Sequence, residues 1–232
     1  MPRLAPNPAL FPAFVAQCSV SFDPNDDSEL ATQFPGVVLP ASLSRAVAKR
    51  RVEYCAGRFC AREALRVCSA QDADTPVGSG PHGEPLWPSG VVGTITHTHE
   101  FASAAVALTR DARAIGLDAE RLTELSADVL DYIALPAEIE TLALASRMSV
   151  ESVASVVFSA KETLFKCLYA EVGRYFDFRD ALVDSLDAAN GRFEVRLLVE
   201  LTPRLGEGAS FAGRFGLEEG RVHTAMVIEP SG

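Results

Sequence analysis

Apolar residues recur at three- and four-residue steps through Val153, Val157, Ala160, Leu164 and Cys167. That spacing predicts one buried face of a helix starting near Val150. A second stripe, Leu43, Val47, Tyr54, Ala61 and Leu65, predicts a long helix over 41–68 with Ser42 or Ser44 as its cap. Between the two, alternation takes over. Residues 91–97, 101–108 and 114–119 read as strands, with connections short enough for antiparallel hairpins. Residues 122–147 read as two helical segments separated at Leu135-Pro136, because proline starts a helix but does not continue one. After Gly173 strands are expected at 176–183, 193–201, 211–215 and 222–228, divided by turn signals at Asn190-Gly191 and Glu219-Gly220. Residues 1–40 read as loops with a short strand covering one side of the core, and 69–90 as a Gly- and Pro-rich loop. The order predicts an α+β chain of two halves, 1–110 and 111–232, without an internal sequence repeat.

Composition narrows the function classes. With 232 residues, 48% of them hydrophobic, the chain has enough apolar material for a folded core. No run of eighteen apolar residues occurs, so no membrane span is expected. An N-terminal apolar patch is broken by Pro12 and Gln17, which argues against a signal peptide. The five cysteines (18, 55, 60, 68 and 167) are odd in number and lack a Cys-x-x-Cys pair. Buried thiols in a reducing cytoplasm are expected, and neither a disulfide framework nor zinc. A net charge of −10 argues against general nucleic-acid binding.

Candidate chemistry sits on three elements. Glu162 and Lys166 are four apart on the predicted helix, about 5–6 Å between Cβ atoms, beside the buried stripe. By themselves they are accounted for by an ordinary solvated ion pair. Asp118 and Glu120 are two apart on a predicted strand and project from the same side. Three carboxylates from two elements suit one hard cation. Residues 41–66 carry seven Lys/Arg and two Glu, a +5 segment in an acidic chain. Arg50 falls on one side of its apolar stripe, Arg51 and Arg58 on the other. Either these arginines snorkel along a core edge, or they grip phosphate bidentately. His97, beside Thr96 at a strand end, is either structural or half of a phosphate-binding pair; His99 is expected to be solvated.

Five segments in order carry a resemblance: residues 45–58 with Cys60-Ala-Arg62, then Gly83-Glu-Pro-Leu-Trp-Pro88, Gly93-Thr-Ile-Thr-His97, Gly116-Leu-Asp-Ala-Glu120 and Phe158-Ser-Ala-Lys-Glu-Thr-Leu-Phe-Lys166. Each is weak alone; together, in order and at compatible spacing, they are specific. Across roughly residues 43–176 the chain resembles the Sfp-like 4′-phosphopantetheinyl transferases, nearest to the enterobactin-synthetase and actinobacterial members.

The resemblance implies two similar α+β halves about a pseudo-twofold axis, with the active site in the cleft between them. It implies transfer of 4′-phosphopantetheine from coenzyme A to a serine of an apo acyl or peptidyl carrier protein, releasing 3′,5′-ADP. The implied setting is fatty-acid, polyketide, non-ribosomal peptide or siderophore synthesis by a cytoplasmic monomer, without nucleic acid or membrane. Asp118, Glu120 and Glu162 would ligate Mg²⁺, or Mn²⁺ in its place. Glu162 would act as base, or yield that role to a metal-bound hydroxide, and Lys166 would face the bridging phosphate. Arg50, Arg58, Thr96 and His97 would hold phosphates of coenzyme A, Ala119 would offer its backbone, and Phe176 would line the pantetheine path. Two rivals are weighed: a non-enzymatic coenzyme A or nucleotide-binding module, and a Mg²⁺-dependent phosphohydrolase. Glu84 stands where many relatives carry Lys or Gln, residues 69–90 contain no Lys or Arg, and Thr96 replaces a common Ser.

Overall fold

The computed structural model describes residues 2–230 apart from 70, 73, 123 and 124. The chain divides into two compact units, the first running to Ile115 and taking back the chain end from Glu229, the second from Gly116 to Ile228. The boundary therefore lies a few residues beyond the one expected near 110.

The first unit holds β1 (Arg3–Leu4), β2 (Ala16–Ser21), α1 (Leu30–Gln33), α2 (Ala48–Cys68), the short pair β3 (Gly78–Ser79) and β4 (Pro85–Leu86), then β5 (Val91–Thr98) and β6 (Phe101–Leu108). Its main sheet is antiparallel in the order β1-β2-β6-β5. The long helix α2 lies on it. The buried face of α2 is Val52, Cys55, Ala56, Cys60, Ala61, Ala64 and Leu65, rich in small residues that allow close approach to the sheet. At Gly57 an added Cβ would stand 2.8 Å from Ile95 Cγ2, so glycine is what this contact admits. The N-terminal strand is a full sheet member, and Val20, Phe22 and Phe34 join the core.

Helix α2 does not begin at 41. A single 3-10 turn occupies Ala41–Leu43, and the helix starts at Ala48 behind an extended Val47 with no side-chain cap. Neither Ser42 nor Ser44 caps it; Ser44 Oγ bonds back to Ala41 O at 2.7 Å. Val47, placed in the apolar stripe by periodicity, is 73% exposed. The loop at 69–90 contains the β3–β4 pair, whose turn Glu84 holds by accepting the His82 N–H at 2.9 Å.

The second unit holds β7 (Ala114–Arg121, entering from the first unit), α3 (Ala127–Ile133), α4 (Pro136–Ser146), α5 (Val150–Val172), β8 (Ala181–Asp187), β9 (Arg192–Leu197), β10 (Ser210–Glu218) and β11 (Arg221–Ile228). Its sheet runs β7-β11-β10-β9-β8, so β7 leaves the preceding hairpin and pairs with the last strand. Residues 178–180 form a 3-10 turn where a strand from 176 was expected; Asp177 caps it by accepting the Arg179 N–H. Helix α5 starts at a Ser149 cap and ends at Gly173, φ 66°. The five residues of its expected stripe, Val153, Val157, Ala160, Leu164 and Cys167, are all buried. A Cβ at Gly116 would fall 2.2 Å from Thr163 O, so α5 rests backbone-close on β7.

A buried ion pair that the sequence did not disclose ties this unit together. Lys161 Nζ lies 2.9 Å from Glu138 Oε2 and 2.9 Å from Ile133 O. Glu138 also accepts the N–H groups of Val183 and Leu135. Four elements thus meet at two side chains exposed by no more than 1%.

Candidate functional site

Asp118 sits within β7, not at its end, and is only 2% exposed. Both its oxygens are engaged. Ser159 Oγ donates to Oδ2 at 2.7 Å, and Lys166 Nζ contacts Oδ1 at 2.6 Å. Ser159 in turn lies 2.8 Å from Thr224 Oγ1, which lies 2.6 Å from Thr163 Oγ1. Residues 159, 162, 163 and 166 recur at helical spacing, so α5 presents Ser159, Glu162, Thr163 and Lys166 on neighbouring positions of one side. Ser159, Thr163 and Thr224 were missed in the sequence because hydroxyls carry no periodicity signal; for Ser159 and Thr163 the shared helix with Glu162 was the available clue.

The electrostatics couple Glu162 and Lys166 to Asp118, and Lys166 also to Glu120. Burial raises the Glu162 pKa; Lys166 opposes that shift and Asp118 adds to it. For Lys166, burial pulls downward, but Asp118, Glu162 and Glu120 together outweigh it and the net shift is upward. Three carboxylates therefore act on one ammonium, leaving a net charge of −2, and their oxygens are the hard donors that magnesium takes. By donor chemistry the set fits such an ion. At metal-ligating separations, however, the described residues contain no group of three or more His, Cys, Asp and Glu side chains. In this arrangement Lys166 is the cation on Asp118. His223 is buried nearby, and burial, reinforced by Arg221, lowers its pKa to about 4.

Phe176 is buried and packs on Phe165, ring centroids 5.1 Å apart. It lines a cavity of about 60 Å³ together with Glu162, Phe165, Tyr175 and Phe178. Ala119 is fully buried.

The first unit carries a separate cavity of about 570 Å³. It is walled by Arg50, Tyr54 and Arg58 of α2, by Ile95 and His97 of β5, and by residues 78–81 with Gly83 and Pro85. Of the seven basic residues over 41–66, four are paired with acids: Lys49 with Glu53, Arg51 with Asp27, and Arg62 and Arg66 with Glu63 and Asp74. Glu53 and Glu63 already count in the +5, so Asp27 and Asp74 lower it to +3. Arg50 and Arg58 have no carboxylate partner among the described residues, and both face the cavity. They flank Tyr54, so the stripe that periodicity assigned to the core is, at this turn, a cavity wall.

Arg58 lies over the Tyr54 ring, 4.9 Å from its centroid, and its Nη2 donates to Gly78 O (3.1 Å) and Ser79 Oγ (2.8 Å). Its Nε is buried without a hydrogen-bond partner, a donor still available to an anion. Burial pulls the Arg58 pKa down, Tyr54 offsets this, and the charge of Arg50 adds to the lowering. Arg50 Nη1 lies 3.4 Å from His97 Nε2, and the buried Glu53 stands 3.9 Å from His97 Nδ1. Neighbouring residues on a strand project to opposite faces. Thr96, 2% exposed, accordingly does not join His97 on the cavity wall, and the expected side-chain pair is not formed there. His99 is exposed, as expected.

Residues 39–107 match the 4′-phosphopantetheinyl transferase N-terminal domain, and residues 114–225 match the 4′-phosphopantetheinyl transferase superfamily. The chain is 38% identical to the 4′-phosphopantetheinyl transferase Svp of Streptomyces mobaraensis over 95% of its own length and 88% of that protein. It is 34% identical to PptT of Mycobacterium tuberculosis, covering 87% and 91% of the two chains. Identity to enterobactin synthase component D of Salmonella typhimurium is 32% over 64% and 60%. Neither a non-enzymatic binding module nor a phosphohydrolase finds support in these matches. With both units matched and relatives similar over nearly the whole chain, this protein belongs to the 4′-phosphopantetheinyl transferase superfamily and is a transferase.

Proposed function

We propose that this enzyme moves the 4′-phosphopantetheine group of coenzyme A onto a serine hydroxyl of an apo carrier protein. What supports the reading is the 2.6 Å contact of Lys166 with Asp118, with Glu162 and Glu120 acting on the same ammonium, in the unit that matches the transferase superfamily. Arg50, Arg58 and His97 form a cationic wall suited to the phosphate at the adenosine end. Charge-assisted contacts of this type contribute roughly 1.5–3 kcal/mol each. Thr96 is retained in the proposal through its backbone alone, like Ala119.

Asp118, Glu120 and Glu162 would hold Mg²⁺, for which Lys166 would release Asp118 Oδ1. The bound ion supplies neutralising charge on the pyrophosphate. The protein's own groups do the rest. Glu162 would take the proton of the attacking serine. Lys166, held protonated by its carboxylates, offsets charge on the pyrophosphate as 3′,5′-ADP departs. Phe176 and the cavity beside Glu162 receive the pantetheine chain. No single helix among the described residues is long and apolar enough to cross a membrane, and all five thiols are free; a cytoplasmic monomer is part of the proposal.

Incubating the protein with coenzyme A, Mg²⁺ and an apo acyl or peptidyl carrier protein, then weighing the carrier, tests the reading. A mass gain equal to phosphopantetheine is expected. With Glu162→Gln, turnover should fall by about 10²–10⁴ if it is the base; recovery at raised Mg²⁺ would make it a ligand only. An unmodified carrier under all conditions would overturn the proposal.

A further inference from the structure

Behind Asp118 the hydroxyls of Ser159, Thr163 and Thr224 form a row that has no part in the reaction as described. They come from α5 and β11, and β11 is the strand beside β7 in the sheet. All three residues are closed off from water, at 0% exposure. Helix α5 lies this close because Gly116 of β7 has no side chain to hold it away.

The direction of the row follows from counting protons, because each hydroxyl has a single one to give. That of Ser159 goes to Asp118 Oδ2, 2.7 Å away. At the 2.8 Å contact between Ser159 Oγ and Thr224 Oγ1, Thr224 is therefore the donor, and the same hydroxyl reaches Ser159 O at 2.9 Å. With that proton directed at Ser159, Thr163 is the donor at the 2.6 Å contact with Thr224 Oγ1. The protons thus point one way, from Thr163 to Thr224 to Ser159, and end on a carboxylate oxygen. Hydrogen bonds in such a chain polarise one another, and a buried network with every member satisfied is rigid. The two oxygens of Asp118 therefore differ. Oδ2 closes the row, whereas Oδ1 faces Lys166, whose side chain is 26% exposed. Lys166 has a flexible stem and a way to water; Ser159 has neither.

We propose that Ser159 and Thr224 are positioning residues that withhold Asp118 Oδ2, so that this carboxylate offers a cation one oxygen and the site prefers Mg²⁺ to Ca²⁺. This rests on the reading that Asp118, Glu120 and Glu162 hold a divalent cation. Magnesium demands near-ideal octahedral geometry, whereas calcium accepts about six to eight oxygens and takes carboxylates through one oxygen or both. An aspartate free to turn gives calcium its second oxygen; one gripped by Ser159 does not. Groups that orient a ligand without touching the ion typically cost about 10–100-fold in metal affinity when removed. Ser159 and Thr224 are of this kind, and they act through Asp118.

The test titrates Mg²⁺ and Ca²⁺ calorimetrically into the full chain saturated with coenzyme A, with coenzyme A alone as the blank. The wild type should bind Mg²⁺ more tightly than Ca²⁺. Ser159→Ala should weaken Mg²⁺ by about 10–100-fold and Ca²⁺ by less, so that the ratio of the two affinities falls. Thr224→Val keeps the shape, loses the hydroxyl and should move the ratio the same way. Thr224→Ser keeps the hydroxyl and should hold the wild-type ratio. Urea unfolding without metal checks that each variant folds, and Thr224→Val carries the test if Ser159→Ala does not. An unchanged ratio in the folded variants that lack a hydroxyl would overturn the inference and leave the cation site standing. So would an equal shift in Thr224→Ser, which would trace the effect to packing, or a wild type without preference for Mg²⁺. A wild type that binds neither ion would remove the site itself, and the inference with it.

Discussion

Replacing Lys161 by methionine keeps an unbranched side chain of similar bulk and removes only the ammonium. In the wild type that ammonium serves Glu138 Oε2 and Ile133 O, and the two side chains are exposed by no more than 1%. After the change Glu138 keeps two donors, the N–H groups of Val183 and Leu135, and no opposite charge. Breaking a buried pair from one side costs roughly 3–5 kcal/mol, because the remaining charge is uncompensated. Against a typical total of about 5–15 kcal/mol, that is about a fifth or more of the stability. Lys161→Met with Glu138→Gln removes the second charge and keeps a carbonyl oxygen for Val183 N–H. The double variant should recover about 2–3 kcal/mol of the loss, a coupling that independent sites would not show. Urea unfolding followed by far-UV circular dichroism at neutral pH measures both quantities, provided single transitions are seen. A single variant within about 1 kcal/mol of wild type, or a double variant with purely additive losses, would refute the reasoning; the threshold lies well below the cost of an uncompensated buried charge.

Asp118→Asn should destabilise by about 2–3 kcal/mol, less than for a fully enclosed pair because Lys166 is 26% exposed. It should also lose Mg²⁺-dependent turnover, and a calorimetric titration showing wild-type Mg²⁺ affinity would remove Asp118 from the metal set. Arg58→Ala should raise the KM for coenzyme A more than for dephospho-coenzyme A if it reads the 3′-phosphate; equal losses would move it to the pyrophosphate. For His223 the folded pKa of about 4 lies below the usual histidine value of about 6.5. Its contribution is therefore complete above about pH 6.5 and is lost as the pH falls toward 4. The loss is about 1.4 kcal/mol per pH unit, roughly 3 kcal/mol in all. His223→Gln should flatten that part of the stability–pH curve, and a ring titration near 6.5 by NMR would contradict it.

What the amino-acid sequence determined by itself was whatever depends on near neighbours. The stripe on α5 was legible because Val153 to Cys167 repeat at helical spacing, and α4 begins at Pro136 because proline fits a first turn. The strands at 101–108 and 222–228 were legible from β-branched and alanine-rich alternation. So was the juxtaposition of Asp118 with Glu120, and of Glu162 with Lys166.

Partnership was decided by the tertiary structure alone. The face of α2 is set by alanines, cysteines and Gly57, residues whose small size matters only once Ile95 and the sheet lie opposite. Which arginines remain for a phosphate depends on Asp27, Glu63 and Asp74 claiming the others, and two of those acids come from outside the helix. Asp118 reads in the sequence as one of two strand acids suited to a cation, yet it is enclosed by Ser159 and Lys166, more than forty residues along the chain. Lys161 looked like one more polar position in a charged motif until Glu138 and Val183 closed around it. Periodicity reports only which side of an element avoids water. Which group lies across that boundary depends on the long-range packing that brings distant segments within a few ångströms, and that is what assigns each charge its chemistry.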